Sequence, residues 1–492
     1  MNKLLEQKKF NISQIILVLI FVLALVLRVK SYLLARPLFH DECTLAASIL
    51  TRSIFGFFQP LAYDQKAPAI FMMLSKAVTS IFGIKVLAIK LVSLISGLVS
   101  IGLFYFLSKK VLSSKFSIVV SNFLFAINYQ LIYYCQKFKQ YSFDVCVFMA
   151  SLLIFSNLDL EKISYKKCLL YSLISGLLIL ASFPCIFVVG AYILFCLLKR
   201  VNLKKTLSFA SPLVIFSLLY YCKTLYNIHK TDLSTYFDYW QGGFLTLDLN
   251  KNIMLIRENF NYFFDPNNFA LIGFALFIFG LVLLIKNKFK TGEIILFSLL
   301  GVILTSFSQI YPMWQRMALY LLPIILLFIC KPLDLVSAKR KTFSAIFLAF
   351  FVLYFSKYNF SYVSGFLKPT AFSTNDAITI FPKLVKRYKG GDILVVNSST
   401  EADVLYYSQV YGFKAQPVIA VPITQFDKEY YHSVMDSLPR GYDYWFIFGW
   451  EYSHDSKFSS VPASFDSYIK EHHLKVLEKY EDGRSLLVKV KI

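Results

Sequence analysis

Through about residue 356 the chain alternates long apolar runs with short polar connections. The runs have the length that a bilayer core demands of a helix, roughly 17–25 residues. They fall at about 12–34, 86–108, 116–134, 143–157, 168–182, 184–198, 206–222, 269–285, 293–309, 317–330 and 342–356, and so predict about eleven spanning helices. With no water in the bilayer core, a spanning segment must satisfy its own backbone, and the period of these runs suits helices rather than the two-residue alternation of a barrel strand. "APAIFMMLSKAVTSIFG", at 67–83, is shorter, carries Lys76, and is framed by Pro68 and Gly83, a helix start and stop. It reads as a helix lying at the outer interface. Before it, Leu45, Ala46, Ile49, Leu50, Ile54 and Phe57 form one apolar stripe, with Thr44, Ser48, Thr51 and Arg52 opposite, which predicts a second interfacial helix.

Beyond residue 357 the pattern changes. "GDILVVN" is strand-like, and the helical segment after it has Ser398 and Glu401 at capping-box spacing and Gly412 as its stop. "QPVIAV" and "DYWFIFGW" are further strands, "KEYYHSVMDSLPRG" and "SFDSYIKEHHLK" are helices, and "KVLEKYEDGRSLLVKVKI" is a hairpin turning at Asp482-Gly483. The predicted architecture is a polytopic α-helical membrane domain over 1–356 and an α/β extracytoplasmic domain over 357–492.

Charge fixes the orientation. Lys3, Lys8 and Lys9; Lys109, Lys110 and Lys115; Lys162, Lys166 and Lys167; Lys199, Arg200, Lys204 and Lys205; Lys286, Lys288 and Lys290; and Lys331, Lys339, Arg340 and Lys341 occupy every second connection. The positive-inside rule makes that face cytoplasmic, the N-terminus included, and puts the C-terminal domain outside. The apolar stretch "ISQIILVLIFVLALVL" follows two lysines and is succeeded by Arg28 and Lys30 rather than a small-residue cleavage site, so the first run reads as an uncleaved span. The chain is 57% hydrophobic, 16% charged and carries a formal charge of +22. Because the cations sit between apolar runs, that charge points to membrane topology and anionic lipid rather than nucleic acid. The eight cysteines are scattered, with no CxxC pair, and indicate neither a zinc site nor a disulfide framework.

This topology gathers ionisable groups on the outer face. His40, Asp41, Glu42, Asp64 and Lys66 come from the first loop, Lys137, Lys139, Tyr141 and Asp144 from "YCQKFKQYSFD", and Arg316 from "SQIYPMWQR". A carboxylate among cations at a lipid interface suits group transfer from a lipid-linked phosphate. The carboxylate accepts the proton of an attacking hydroxyl, and the cations stabilise the departing phosphate. Simpler roles are open at each position. Asp41 and Glu42 suit the N-terminus of a helix, Asp64 and Lys66 suit a surface ion pair, and Lys137, Lys139 and Arg316 suit interface anchors.

The "HDE" triplet after the first span, followed by "YDQKAPAIFMML", resembles the GT-C membrane glycosyltransferases, in particular the branch of protein O-mannosyltransferases and lipid A aminoarabinose transferases. Those families carry an Asp-Glu pair after the first span and then a Lys/His-Pro-Pro-Leu segment; here the latter reads Lys66-Ala67-Pro68-Ala69, without the first proline. "YYCQKFKQYSFD" resembles their Ser-Gln-Glu-x-Arg/Lys-x-Tyr-Ser segment, with Gln136, Lys139, Tyr141 and Ser142 matching, Cys135 at the serine and Lys137 at the acid. Arg316 and Pro323 match a late arginine and a following span with proline. The resemblance implies a polyprenyl-phosphate-linked sugar donor, an inverting transfer to a glycan, lipid or protein acceptor, and a bacterial cytoplasmic-membrane location. It implies Asp41 as the catalytic acid/base with Glu42 beside it. Donor-phosphate and substrate contacts are expected from Lys66, Lys139, Arg316, Tyr141, Asp144, His40 and Asp64. A divalent metal is compatible with the resemblance, but His40 and the carboxylates form no recognisable ligand set. The competing reading, a transporter or flippase of lipid-linked glycans, calls for internal repeats and midplane charges, and no repeat is visible.

Overall fold

The computed structural model describes residues 12–220, 240–264, 269–286, 289–335, 356–357, 359–368, 380–414, 418–421, 428–449, 460–482 and 485–492. The membrane-type part is a bundle of α1 (Ile12–Leu33), α2 (His40–Thr51), α3 (Ala69–Phe82), α4 (Val86–Val111), α5 (Lys115–Ile127), α6 (Tyr129–Tyr134), α7 (Tyr141–Asn157), α8 (Tyr165–Ala181), α9 (Cys185–Leu198), α10 (Leu203–Tyr220), α11 (Leu249–Phe263), α12 (Phe269–Lys286), α13 (Lys290–Phe307) and α14 (Leu322–Cys330). Among the described residues, Ile12–Leu33, Val86–Val111, Lys290–Phe307 and the segment Gln315–Leu335 are long and apolar enough to cross a bilayer. The chain is a multi-pass membrane protein by fold and composition. The last expected span, 342–356, lies outside the described residues apart from Ser356.

Two expected spans are interrupted. The run at 116–134 divides at Asn128, whose side chain accepts from Leu131 N and starts α6 as a separate short helix. The run at 317–330 enters through a 3₁₀ turn, Gln315–Leu321, before α14 begins with Pro323 in its first turn. Apolar content alone does not register such breaks, because both halves are equally hydrophobic.

The two ends of the bundle differ in chemistry. Lys199 pairs with Glu293 at 2.8 Å, Lys331 with Asp334 at 2.9 Å, and Asp334 also accepts from Ser113 N and Ser114 N. Lys110 donates to Asn157, and Lys205 to the carbonyls of Glu161 and Ile163. The connections that carry the basic clusters therefore meet at one end. The other end of α4 lies beside the chain that leaves α1, where Tyr32 OH donates to Leu87 O and Lys90 Nζ to Arg36 O, both at 2.7 Å. The first-loop acids lie at this second end.

The C-terminal domain contains α15 (Phe381–Arg387), β1 (Ile393–Asn397), α16 (Ser398–Tyr411), β2 (Val418–Val421), α17 (Lys428–Asp436), β3 (Asp443–Phe448), α18 (Ser460–Glu471), β4 (Lys475–Asp482) and β5 (Ser485–Lys491). The sheet order is β2-β1-β3-β5-β4, parallel across β2-β1-β3 and antiparallel across β3-β5-β4. Every expected strand and helix is found here. Gly412 follows α16 at φ +61°, the left-handed conformation that suits a helix stop. Asp482 pairs with Ser485 across the expected hairpin connection, whose Gly483 lies outside the described residues.

The interfacial helix at the first loop departs from expectation. It ends at Thr51, where Arg52 turns back to donate to the carbonyls of Gly56, Gln59 and Pro60. Most of its polar side is covered: Glu42 through Ile49 are all buried, Thr44 and Ser48 included, and Thr51 at its end is exposed. The reason is a second partner. Helix α16 of the C-terminal domain packs on α2, and Leu38, Cys43 and Ile49 share a core with Ala402, Tyr406 and Tyr407.

Candidate active site

The first turn of α2 divides its two acids. Glu42 is 1% exposed; its Oε2 accepts from Phe39 N at 3.1 Å and from Lys137 Nζ at 3.1 Å, and its Oε1 accepts from Phe138 N at 2.5 Å. Glu42 is thus both the N-terminal cap of α2 and the anchor that ties the 135–140 connection to it. Lys137, 3.2 Å from the centre of the Phe39 ring, is buried against the same turn. A carboxylate with both oxygens committed and a paired buried cation is a fixed strut.

Asp41 faces the other way. Its Oδ2 lies 3.5 Å from Lys139 Nζ and 3.4 Å from Arg316 Nη1, and its side chain is 42% accessible, opening onto a cavity of about 420 Å³. Burial pulls the Asp41 carboxyl up, but Lys139, Arg316 and Lys137 together outweigh it and hold the group below the usual carboxylate range. Burial pushes the Lys139 ammonium down, opposed by the pull of Asp41. Lys139 also donates to Gln65 Oε1 at 3.1 Å. Arg316 is presented by the 3₁₀ turn, whose first residue, Gln315, has φ +43° and donates its N–H to Asn259 on α11 at 2.5 Å. Trp314 Nε1 bonds Glu258 at 3.0 Å on the same helix. A strained residue held from beneath by α11 thus sets the angle of the arginine.

Phe39, His40, Tyr133, Tyr134 and Tyr141 complete the lining with Asp41, Glu42, Lys137, Lys139 and Arg316. Tyr134 stacks edge-on with Tyr141 at 5.1 Å and shares a 2.6 Å hydrogen bond with Tyr262. His40 Nδ1 lies 2.9 Å from Asp403 Oδ2 on α16.

Of the residues expected here, Asp41, Glu42, His40, Lys139, Tyr141 and Arg316 come together, and three do not. Asp64 is exposed on a 3₁₀ turn at φ +51° and does not line the cavity. Lys66 is absent from the lining, although its carbonyl accepts from Gln140 beside Lys139. Asp144 is buried one turn into α7, accepts from Ser182 Oγ at 2.7 Å and does not line the cavity. Lys137 was placed on the outer face from sequence but given no site role, and Phe39, Tyr133, Tyr134 and Asp403 were not singled out. The alternation of Lys137 with Lys139 is a usable signal for the first; nothing local marks Asp403.

The donor set does not fit a divalent cation. Asp41 already shares one oxygen with two cations, both Glu42 oxygens are occupied, and among the described residues no three metal-ligating side chains cluster.

No family model and no curated protein matches the chain. Solved structures do. ArnT from Cupriavidus metallidurans bound to undecaprenyl phosphate is 12% identical, with a TM-score of 0.62 over 96% of this chain and 97% of that one. The apo state of the same protein gives 0.58 over the same shares. The apo oligosaccharyltransferase of Archaeoglobus fulgidus, also 12% identical, gives 0.52 over 90% of this chain and 70% of that one. From α1 to the last strand, the chain shares the fold of the ArnT structures, in this chain a helical bundle followed by a C-terminal α/β layer.

Proposed function

We propose that the protein is an inverting glycosyltransferase that moves a sugar from a polyprenyl-phosphate donor to a hydroxyl of a glycan, lipid or protein acceptor at the outer face of a bacterial cytoplasmic membrane. One observation carries the reading: Asp41, Lys139 and Arg316, from three distant stretches of sequence, meet in one cavity of a chain that has the fold of a protein solved with undecaprenyl phosphate. The acceptor oxygen attacks the anomeric carbon as its bond to the donor phosphate breaks. The hydroxyl proton passes to Asp41, and the electron pair of the broken bond leaves on the phosphate, whose charge Arg316 and Lys139 stabilise. The three tyrosines supply faces for the apolar side of a sugar ring.

The resting site also explains how a depressed carboxylate serves as a base. A donor phosphate draws Lys139 and Arg316 onto itself and so frees Asp41 from the charges that weaken its basicity. Glu42 and Lys137 hold the two strands of the cavity together and take no proton.

The test is Asp41→Asn in nanodiscs with a polyprenyl-phosphate sugar. The expected result is a loss of transfer of about 100-fold or more with retained folding, in the range of a general base. Undecaprenyl phosphate should still bind. Undiminished transfer overturns the assignment, and donor flipping without turnover replaces it with transport.

A further inference from the structure

We infer that Asp403 on α16 is a positioning residue for the cavity, acting through His40; the activity readout of this inference rests on the transferase reading above. Asp403 is 2% exposed, and its Oδ2 lies 2.9 Å from His40 Nδ1. Its other oxygen, Oδ1, is buried and makes no hydrogen bond among the described residues. A carboxylate buried with a single partner is costly, and attachment of the C-terminal domain gives little reason for it. Attachment is secured one turn further along α16, where Tyr407 OH accepts from Leu38 N at 2.8 Å and donates to Leu38 O at 3.1 Å amid apolar packing. What the carboxylate adds is local to the imidazole.

An ionised carboxylate only accepts, so the proton of this contact sits on His40 Nδ1. That fixes the plane of the ring and the state of the nitrogen nearer the C-terminal domain. His40 lines the cavity and precedes Asp41 in the chain, at the start of the same helix. Asp403 therefore sets the imidazole in the geometry that the bound sugar or acceptor meets. This gives the C-terminal domain a share in the chemistry: it completes a site whose other residues all belong to the membrane bundle.

The test uses the full chain in nanodiscs. Asp403→Asn should lower kcat about 10- to 100-fold, as small misplacements at a reacting centre do, with donor KM within about twofold. The melting temperature should stay at the wild-type value, and Asp403→Glu should recover part of the rate. In a His40→Ala background, Asp403→Asn should cost less than about twofold, because the residue it acts through is gone. Equal losses in both backgrounds, or a lowered melting temperature matching that of Tyr407→Phe, overturn the inference and leave Asp403 a docking contact. Asp41→Asn inactive with Asp403→Asn at wild-type kcat overturns it while the transferase reading stands. Should the wild type transfer no sugar, that reading falls, and deuterium exchange at the His40 C2–H decides this one alone. A changed exchange rate in Asp403→Asn but not in Tyr407→Phe supports it; an unchanged rate overturns it.

Discussion

Arg316 Nη1 lies 3.4 Å from Asp41 Oδ2, a contact that spans 275 residues of sequence and joins the first loop to the turn that opens α14. Lys139 approaches the same oxygen from the α6–α7 connection. In the resting site the acid is thus the counter-ion of two cations. The expectations about pH and donor affinity follow from moving those charges one at a time.

Lys139→Met should move the acid limb of the kcat/KM profile to higher pH. The lysine helps hold Asp41 below the usual carboxylate range, and in the proposed mechanism the active form is the carboxylate. Activity is therefore present above the pKa of Asp41 and falls as pH drops through it. Removing a cation raises that pKa, and the fall begins at higher pH. The limb for kcat should move less, since kcat reports the donor complex, where the phosphate already claims the cations. Rate profiles between acid and neutral pH check both limbs; a limb moving to lower pH contradicts the role given to Lys139.

Arg316→Ala should weaken undecaprenyl-phosphate binding by about 10- to 100-fold, the value of a charge-assisted hydrogen bond. Arg316→Lys should recover only part of it, because an ammonium lacks the planar fork that the 3₁₀ turn aims into the cavity. Titration of the lipid phosphate against protein in nanodiscs measures both, and equal affinity for all three proteins removes Arg316 from the donor site.

Lys137→Met should destabilise the protein by about 3–5 kcal/mol, the cost of leaving one partner of a buried pair unmatched. Glu42 would keep its bonds to the Phe39 and Phe138 amides but lose its cation. Adding Glu42→Gln to Lys137→Met should cost less than the sum of the single changes, because the pair is one interaction. Thermal melts of the four proteins in detergent test this. Additive losses would make the contact incidental.

The sequence made the architecture legible because each bundle helix must hide its backbone and expose apolar side chains, which leaves a strong signal of run length. The grouping of the basic connections was legible for a similar reason: lysines lie outside the runs, and among the described residues Lys199, Lys110, Lys205 and Lys331 come to one end of the bundle. The residues that meet in the cavity were legible where a motif and a topology agreed, as at Asp41, Lys139 and Arg316. Direction was not. Glu42 and Asp41 are neighbours in sequence, yet helix geometry sends one inward to Phe138 and the other into the cavity. Asp144 fails because Ser182, from the distant α8–α9 connection, takes its carboxylate. The break at Asn128 and the burial of the polar side of α2 depend on a capping bond and on a distant domain. Neither leaves a trace in local hydropathy.

Gly280→Ala, outside the cavity lining, should destabilise the bundle and reach the site only through α14. A Cβ at Gly280 would stand 1.9 Å from the Phe328 carbonyl oxygen, which is backbone inside α14 and has no rotamer to yield. Helices α12 and α14 must separate to admit the methyl group, and Phe328, fully buried and stacked near Phe277 at 5.4 Å, must follow. Overpacking of this kind costs about 1–3 kcal/mol. Because α14 leads directly from the turn that carries Arg316, the displacement should also loosen the arginine and raise the donor KM more than it lowers kcat. Gly301→Ala is the control, since a Cβ there meets only the edge of Phe187 at 3.5 Å, ordinary contact distance. A melting temperature lowered in the first variant and not in the second is the expected outcome. Equal stability of the two would mean that α12 and α14 are not in the close contact described.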